Sequence, residues 1–219
     1  NADFILTHLR GEDGRLLRTY KDGRARLNAF LEDYAFVIAG LIALYQATLN
    51  RHWIEAAIDL AAVMVEDFAD EAGQSFYDTS KHHEQLVARP RDLQDGATPA
   101  GNSVAAEVLF KLAAMTGNEE FTRRPVKLLA GLSRAMSEQS IAFGRFLTAL
   151  DFYLAVPKEV VVAGDLNDPA LQALVNAVYQ NYEPNVLVGY ADPEDPSLIE
   201  VLPFLADRLP RGGKAAAYL

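Results

Sequence analysis

Cysteine is absent from this 219-residue chain, which excludes disulfides, thiolate metal sites and cysteine nucleophiles. Histidine is scarce: His8, His52, His82 and His83 are the four present. Basic residues are outnumbered 30 to 20, giving a net charge of −10. No basic stripe is available to replace phosphate counterions, which argues against nucleic acid as a partner. No apolar run approaches the ~20 residues of a membrane span, so no membrane partner is expected. The start, Asn1-Ala2-Asp3-Phe4, lacks the basic and apolar regions of a signal peptide, and the cytoplasm is the expected location. Gly164-Asp165 follows an extended stretch but forms neither a G-x-G-x-x-G nor a P-loop pattern, so no nucleotide cofactor is expected, nor any other.

What is present is a helix-favouring mixture with 34 Ala and 29 Leu, half of it hydrophobic. A chain of this length buries roughly 70% of its unfolded surface. It has room for one large domain or two unequal ones. Five main helices are expected up to residue 155. The first runs from about Ala29 to Leu49 and is apolar nearly all round. The second, about Trp53 to Phe68, carries one apolar stripe opposite Glu55, Asp59 and Glu66. The third, Ser103 to Met115, has Glu107 and Lys111 as its charges. The fourth, Phe121 to Met136, is amphipathic. The fifth, about Ser140 to Leu154, is mostly apolar. Inner, buried helices thus alternate with outer, half-wet ones.

The first two helix pairs repeat. Leu41, Leu44, Thr48, Asn50 and Trp53 recur 68 residues later as Leu109, Leu112, Thr116, Asn118 and Phe121. Repeated hairpins of this kind read as part of an α/α toroid or a solenoid. The fold class expected is therefore mainly α, a partial toroid over 1–155. A small α/β unit should follow over 156–219. In that unit, Glu159 to Gly164 reads as a buried strand, Asp168-Pro169 opens a helix to about Tyr179, and Asn185 to Val188 reads as a second, parallel strand. Residues 215–219 read as a short third strand. Between the second and third helices lies a long connection, residues 69–102. Ser75-Phe76-Tyr77 and Gln85-Leu86-Val87-Ala88 within it have strand character, and a β-hairpin is expected there. Loops of this length are often functional.

Three motifs stand in order along the chain: Leu31-Glu32-Asp33-Tyr34-Ala35-Phe36, then Phe76-Tyr77-Asp78-Thr79, then Asp95-Gly96-Ala97-Thr98-Pro99-Ala100-Gly101-Asn102-Ser103. With Leu16 to Gly23 and the closing Ala216-Ala217-Tyr218, they closely resemble the thioredoxin-domain-containing proteins of the YyaL and spermatogenesis-associated protein 20 type. Departures are Gln74-Ser75 where Gly-Gly is common and Ala100 where Ser is common. The resemblance implies an (α/α)6 barrel similar to N-acylglucosamine 2-epimerases and six-hairpin glycosidases, with this chain as about its last third. It also implies a thioredoxin-like domain as an intramolecular partner and a small-molecule sugar as a possible ligand. Five helices cannot close a ring of twelve, so self-association through uncovered apolar flanks is expected.

The candidate site residues follow. Asp33, Asn102 and Ser103 open two buried helices at the same end of the fold, where free N–H groups suit oxyanions or sugar hydroxyls; helix capping is the alternative. Asp33 is expected to be largely buried and hydrogen-bonded. Asp78, Arg89, Asp92 and Asp95 lie on the long connection, and paired carboxylates there suit acid/base work on a sugar. Asp33, Asp78 and Asp95 are taken as catalytic candidates. Tyr34, Phe76, Tyr77, Arg89, Asn102 and Ser103 are taken as substrate-binding ones. His82-His83-Glu84 sits at the expected hairpin tip, and no metal site is assigned to it. Two functions remain open: a carbohydrate-active or carbohydrate-binding toroid, and a non-catalytic scaffold accompanying a thioredoxin-like domain.

Overall fold

A computed structural model describes residues 1–84 and 87–219. A helical segment, Ala2–Phe4 continuing into the wider turn Ile5–Leu9, precedes a two-stranded antiparallel ribbon of β1 (Leu17–Lys21) and β2 (Arg24–Asn28). Five main helices follow: α1 (Leu31–Thr48), α2 (Arg51–Phe68), α3 (Gly101–Thr116), α4 (Glu119–Glu138) and α5 (Gly144–Ala155). The chain is mainly α-helical. The apolar helices α1, α3 and α5 lie side by side, with α2 covering α1 and α4 covering α3. The central helix α3 is buried on nearly every face. Among the described residues no helix is long and apolar enough to cross a membrane.

The repeat seen in the sequence is carried by matching turns. Thr48 Oγ1 donates to the Leu44 carbonyl (2.7 Å), and Thr116 Oγ1 donates to the Leu112 carbonyl (2.7 Å). Asn50 then accepts from His52 N–H and Asn118 from Glu120 N–H, each at 3.0 Å, capping α2 and α4. Both turns pass through a left-handed residue, Leu49 (φ 59°) and Gly117 (φ 69°). A leucine there is strained. Leu49 is held by burial against Val162, Leu171 and Tyr190 of the C-terminal region.

Four expectations about boundaries are corrected. Helix α1 starts at Leu31 rather than Ala29, because β2 extends to Asn28 and Phe30 is the N-cap. Helix α2 starts at Arg51 rather than Trp53, since the cap is Asn50. Helix α3 starts at Gly101, so Asn102 and Ser103 stand in its first turn rather than at its cap, which is Ala100. Residues Ser140–Phe143 form a tight 3-10 turn before α5. The β-hairpin expected in the long connection does not form among the described residues. Ala69 and Phe76 make one isolated bridge, and the backbone of Phe76 is bound on by a side chain from α3. Gln85 and Leu86 lie outside the described residues. The ribbon of β1 and β2 was not anticipated, although Asp22-Gly23, both at positive φ, supplies the turn.

After α5 the chain forms β3 (Lys158–Ala163), α6 (Pro169–Val178) and β4 (Val186–Ala191), with β3 and β4 parallel. Asp168 caps α6 through Ala170 N–H (2.8 Å), with Pro169 in the first turn. Strand β5 (Ala216–Tyr218) pairs antiparallel with β3, giving the order β4-β3-β5. One face of this sheet, with Val161, Ala163 and Leu187, joins the helical core; the other, with Val162 and Val188, packs on α6. Tyr45 OH and Gln46 Oε1 accept from the N–H groups of Tyr190 and Val188, tying α1 to β4.

A buried ionic knot at Asp67, on the last turn of α2, joins three segments. Its side chain is 1% exposed and lies 2.7 Å from Arg15, 3.1 Å from Lys81 and 3.4 Å from His82. Burial alone would raise this carboxyl. The Arg15 and Lys81 hydrogen bonds outweigh it and hold the group below the usual carboxylate range. Its stabilisation is therefore full above the unfolded value of about 3.9 and drains away as pH falls through the lower folded value. Asp67→Ala should lose about 2 kcal/mol in urea titrations near neutral pH, because it removes the buried acceptor that Arg15 and Lys81 share, while Arg15 keeps Asp13 and Lys81 keeps Glu66. The deficit should shrink in strong acid. A deficit that stays constant with pH would contradict the ionic role.

Candidate functional site

The N-terminal ends of α1 and α3 come together under the long connection. Gly101, the position 68 residues after Asp33, marks the contact. A Cβ on it would lie 3.1 Å from Glu32 N and 3.1 Å from Leu31 Cγ, so only glycine lets the helices approach this closely. Over this junction the connection is fastened by side chains rather than by a sheet. Asn102, fully buried, accepts from Phe76 N–H (2.8 Å) and donates to the carbonyls of Phe76 (3.0 Å) and Asp92 (3.0 Å). Asp95 accepts from Ala100 N–H (3.0 Å), from Ser103 Oγ (2.6 Å) and from Arg145 N–H (2.8 Å), so it binds the first turns of both α3 and α5.

Asp78 sits between these anchors. Its backbone accepts from Leu31 N–H and donates to the Pro90 carbonyl, both at 2.9 Å. Its carboxylate accepts from Asp92 N–H (3.0 Å). It lines a cleft of about 270 Å3 together with Glu32, Asp92, Thr98, Phe30, Pro90 and Pro99. Burial, followed by repulsion from Asp92 and Glu32, raises the Asp78 carboxyl above its ordinary value. The site thus has three carboxylates, a hydroxyl and an apolar wall.

The other sequence candidates are placed as follows. Asp33 is half-buried; its carboxylate accepts from Phe30 N–H (2.9 Å) and from Arg18 (3.2 Å), capping α1 rather than facing the cleft. Tyr34 is buried, and its hydroxyl accepts from Leu16 N–H (2.8 Å). Phe76 is a core residue. The Tyr77 ring is stacked by Arg89 and Arg91, whose guanidinium carbons lie 4.0 and 4.2 Å from its centroid; Arg91 also donates to its hydroxyl (2.7 Å). Arg89 donates to the carbonyls of Thr79 and Asp67. His83 Nδ1 accepts from Ser80 N–H (3.0 Å), which sets the tautomer with the proton on Nε2. Among the described residues no three His, Asp or Glu side chains are grouped so as to hold a metal ion. Of the candidates, Asp78 and Asp92 line the cleft with carboxylates. Glu32, Phe30, Thr98 and Pro99 were not singled out. Glu32 and Thr98 lie inside the quoted motifs, which was the available signal.

Larger clefts of about 320 and 380 Å3 open beyond the C-terminal ends of β3 and β4. Their acids are engaged locally. Asp165 accepts from Asn167 N–H, Asp192 from Glu194 N–H, and Asp195 from Ser197 and Arg51. The cleft at the helix ends, with its raised carboxyl, is the better-organised site for chemistry.

No family model matches the chain. Over its whole length it is 34% identical to human spermatogenesis-associated protein 20, and 87% of it is 34% identical to the rat protein of that name. An uncharacterized protein of Caenorhabditis elegans is 25% identical over 80% of the chain. The chain spans 29% of the human relative and 24% of the rat one. These likenesses support kinship with the spermatogenesis-associated protein 20 group.

The raised Asp78 carboxyl gives a sign that stability can read. Ionising it costs the fold energy as pH rises through its folded value, and the cost vanishes below the unfolded value of about 3.9. Asp78→Asn keeps an acceptor for Asp92 N–H and removes the charge. The variant should melt higher than the parent near neutral pH and equally in strong acid. A variant that melts lower at neutral pH would mean that the Asp78 charge is stabilising.

Proposed function

We propose that the cleft at the N-terminal ends of α1 and α3 binds a neutral, polyhydroxylated ligand of the carbohydrate class. The observation that carries this reading is the grouping of Glu32, Asp78 and Asp92 beside Phe30 and Pro99. Carboxylates accept hydrogen bonds from adjacent sugar hydroxyls, and an apolar wall takes a ring face. Three acids in one cleft repel anions, which selects a neutral ligand. Asp78, whose carboxyl is raised above its ordinary value by burial, supplies the acid of a two-carboxylate pair, and Asp92 the base, Glu32 being paired with Arg18. The reading draws on the likeness to spermatogenesis-associated protein 20 and on the resemblance to α/α toroids of the epimerase and glycosidase type, of which α1 to α5 would form a part.

A second reading, a non-catalytic scaffold beside a thioredoxin-like domain, draws on a different observation. Most of the polar side chains at the helix ends are engaged in holding the fold, as shown by Asp33, Asp95, Asn102 and Arg89. Helix α1 also leaves Phe36, Gly40, Ala43 and Ala47 exposed along one face. That stripe suits a neighbouring helix, from a second copy or from the remainder of a longer chain.

A thermal-shift screen with neutral mono- and oligosaccharides separates the two. A sugar that binds the cleft should stabilise the chain by roughly 2–3 kcal/mol at about 100 times its Kd. Asp92→Ala should abolish that shift while the protein stays folded. A panel with no stabilising sugar, together with concentration-dependent self-association in sedimentation, would favour the scaffold.

A further inference from the structure

The ribbon of β1 and β2 reverses the charge of the molecule. Residues 17–28 carry four basic side chains and one acidic, a net of +3 in a chain of net −10. The pairing register sets Lys21 opposite Arg24 and Thr19 opposite Arg26, so Lys21, Arg24, Arg26 and Thr19 share one face of the ribbon. The other face is partly engaged. Tyr20 packs edge-on against Phe4 at 5.1 Å and against His8 at 5.5 Å. Arg18 is spent on Glu32 (2.9 Å) and Asp33 (3.2 Å). Lys21, Arg24 and Arg26 are exposed, and among the described residues their side chains make neither an ion pair nor a hydrogen bond.

We propose that this face docks an extended, acidic segment of a protein partner. Opposed residues on such a ribbon stand about 5 Å apart and successive same-face residues about 7 Å apart. An extended peptide places carboxylates at alternate positions about 7 Å apart, which matches that spacing. The shape and charge favour a short anionic strand over a long polyanion. Three free cations release few counterions, and the rest of the chain, strongly negative, repels a duplex or a charged membrane beyond the ribbon's own width. The cations cost the fold little to keep free: Lys21 and Arg24, directly opposed, repel each other, but they do so in water, where the repulsion is screened. Their attraction acts at long range and sets the encounter, and each contact adds a modest gain.

The test uses the whole chain and a short fluorescein-labelled oligo-glutamate peptide, with binding read by anisotropy at low salt. Labelled single-stranded DNA, and vesicles of phosphatidylcholine mixed with phosphatidylserine, serve as the other arms. The peptide should bind, and the triple variant Lys21→Gln, Arg24→Gln, Arg26→Gln should weaken it about tenfold. Raising the salt to about 0.3 M should weaken the parent's binding toward that of the variant. The variant should melt with the parent, since the three side chains touch nothing that stabilises the fold. Absence of peptide binding at low salt, equal affinity in the triple variant, or tighter binding to DNA or vesicles than to the peptide would each overturn the proposal.

Discussion

The side-chain amide of Asn102 is the interaction on which the helix ends depend. The long connection after α2 forms no sheet among its described residues, yet its backbone N–H and C=O groups still need partners where they are buried. Asn102 supplies three of them at once, one accepted and two donated, from a fully buried place in the first turn of α3. It imitates the edge of a strand. The connection therefore lies against the helix ends as though in a sheet, and Phe76 is driven into the core beside it.

This fastening sorts the acidic residues into two kinds. Asp95 has three donors and joins the starts of α3 and α5. Asp33 has two and caps α1. Asp78 has one and shares its cleft with Asp92 and Glu32. A carboxylate is stabilised by the donors around it and destabilised by burial and by its own kind. Asp78 is thus the acid whose carboxyl is raised above its ordinary value. The same geometry that makes Asp33 and Asp95 structural leaves Asp78 free for a ligand. Asp67 closes the other side of the connection, where Arg15, Lys81 and His82 converge on a buried charge.

The helices were legible because two of them carry an apolar stripe of 3.6-residue period and the others are apolar on nearly every side, which is also why half-wet and buried helices alternate. The two matching turns were legible because Thr-x-Asn encodes their hydrogen bonds locally. The strand-helix-strand order after Pro157 was legible from β-branched runs and an Asp-Pro cap. The ribbon at residues 17–28 was not, because its strands are short and heavily charged and the alternation in Arg24-Ala25-Arg26-Leu27-Asn28 spans only five residues; Asp22-Gly23 was the available cue. The long connection misled for a different reason. Ser75-Phe76-Tyr77 has strand composition, but it pairs only briefly with residues 68–70, and Phe76 is otherwise held by one asparagine 26 residues away, a pairing with no periodic signature. The cleft was half legible. Asp78 and Asp92 stood out as loop carboxylates, whereas Glu32 and Pro99 meet them only because α1 and α3 pack at Gly101.

Amide hydrogen exchange at Phe76 tests whether Asn102 holds the connection over the helix ends and so builds the cleft. In the parent chain that amide should be protected nearly as well as the α3 core. In Asn102→Ala it should exchange at least about 30-fold faster, matching roughly 2 kcal/mol of lost local protection, while Leu109 and Leu112 in α3 stay protected. A Phe76 amide that is unprotected in the parent, or equally protected in the variant, would contradict the claim.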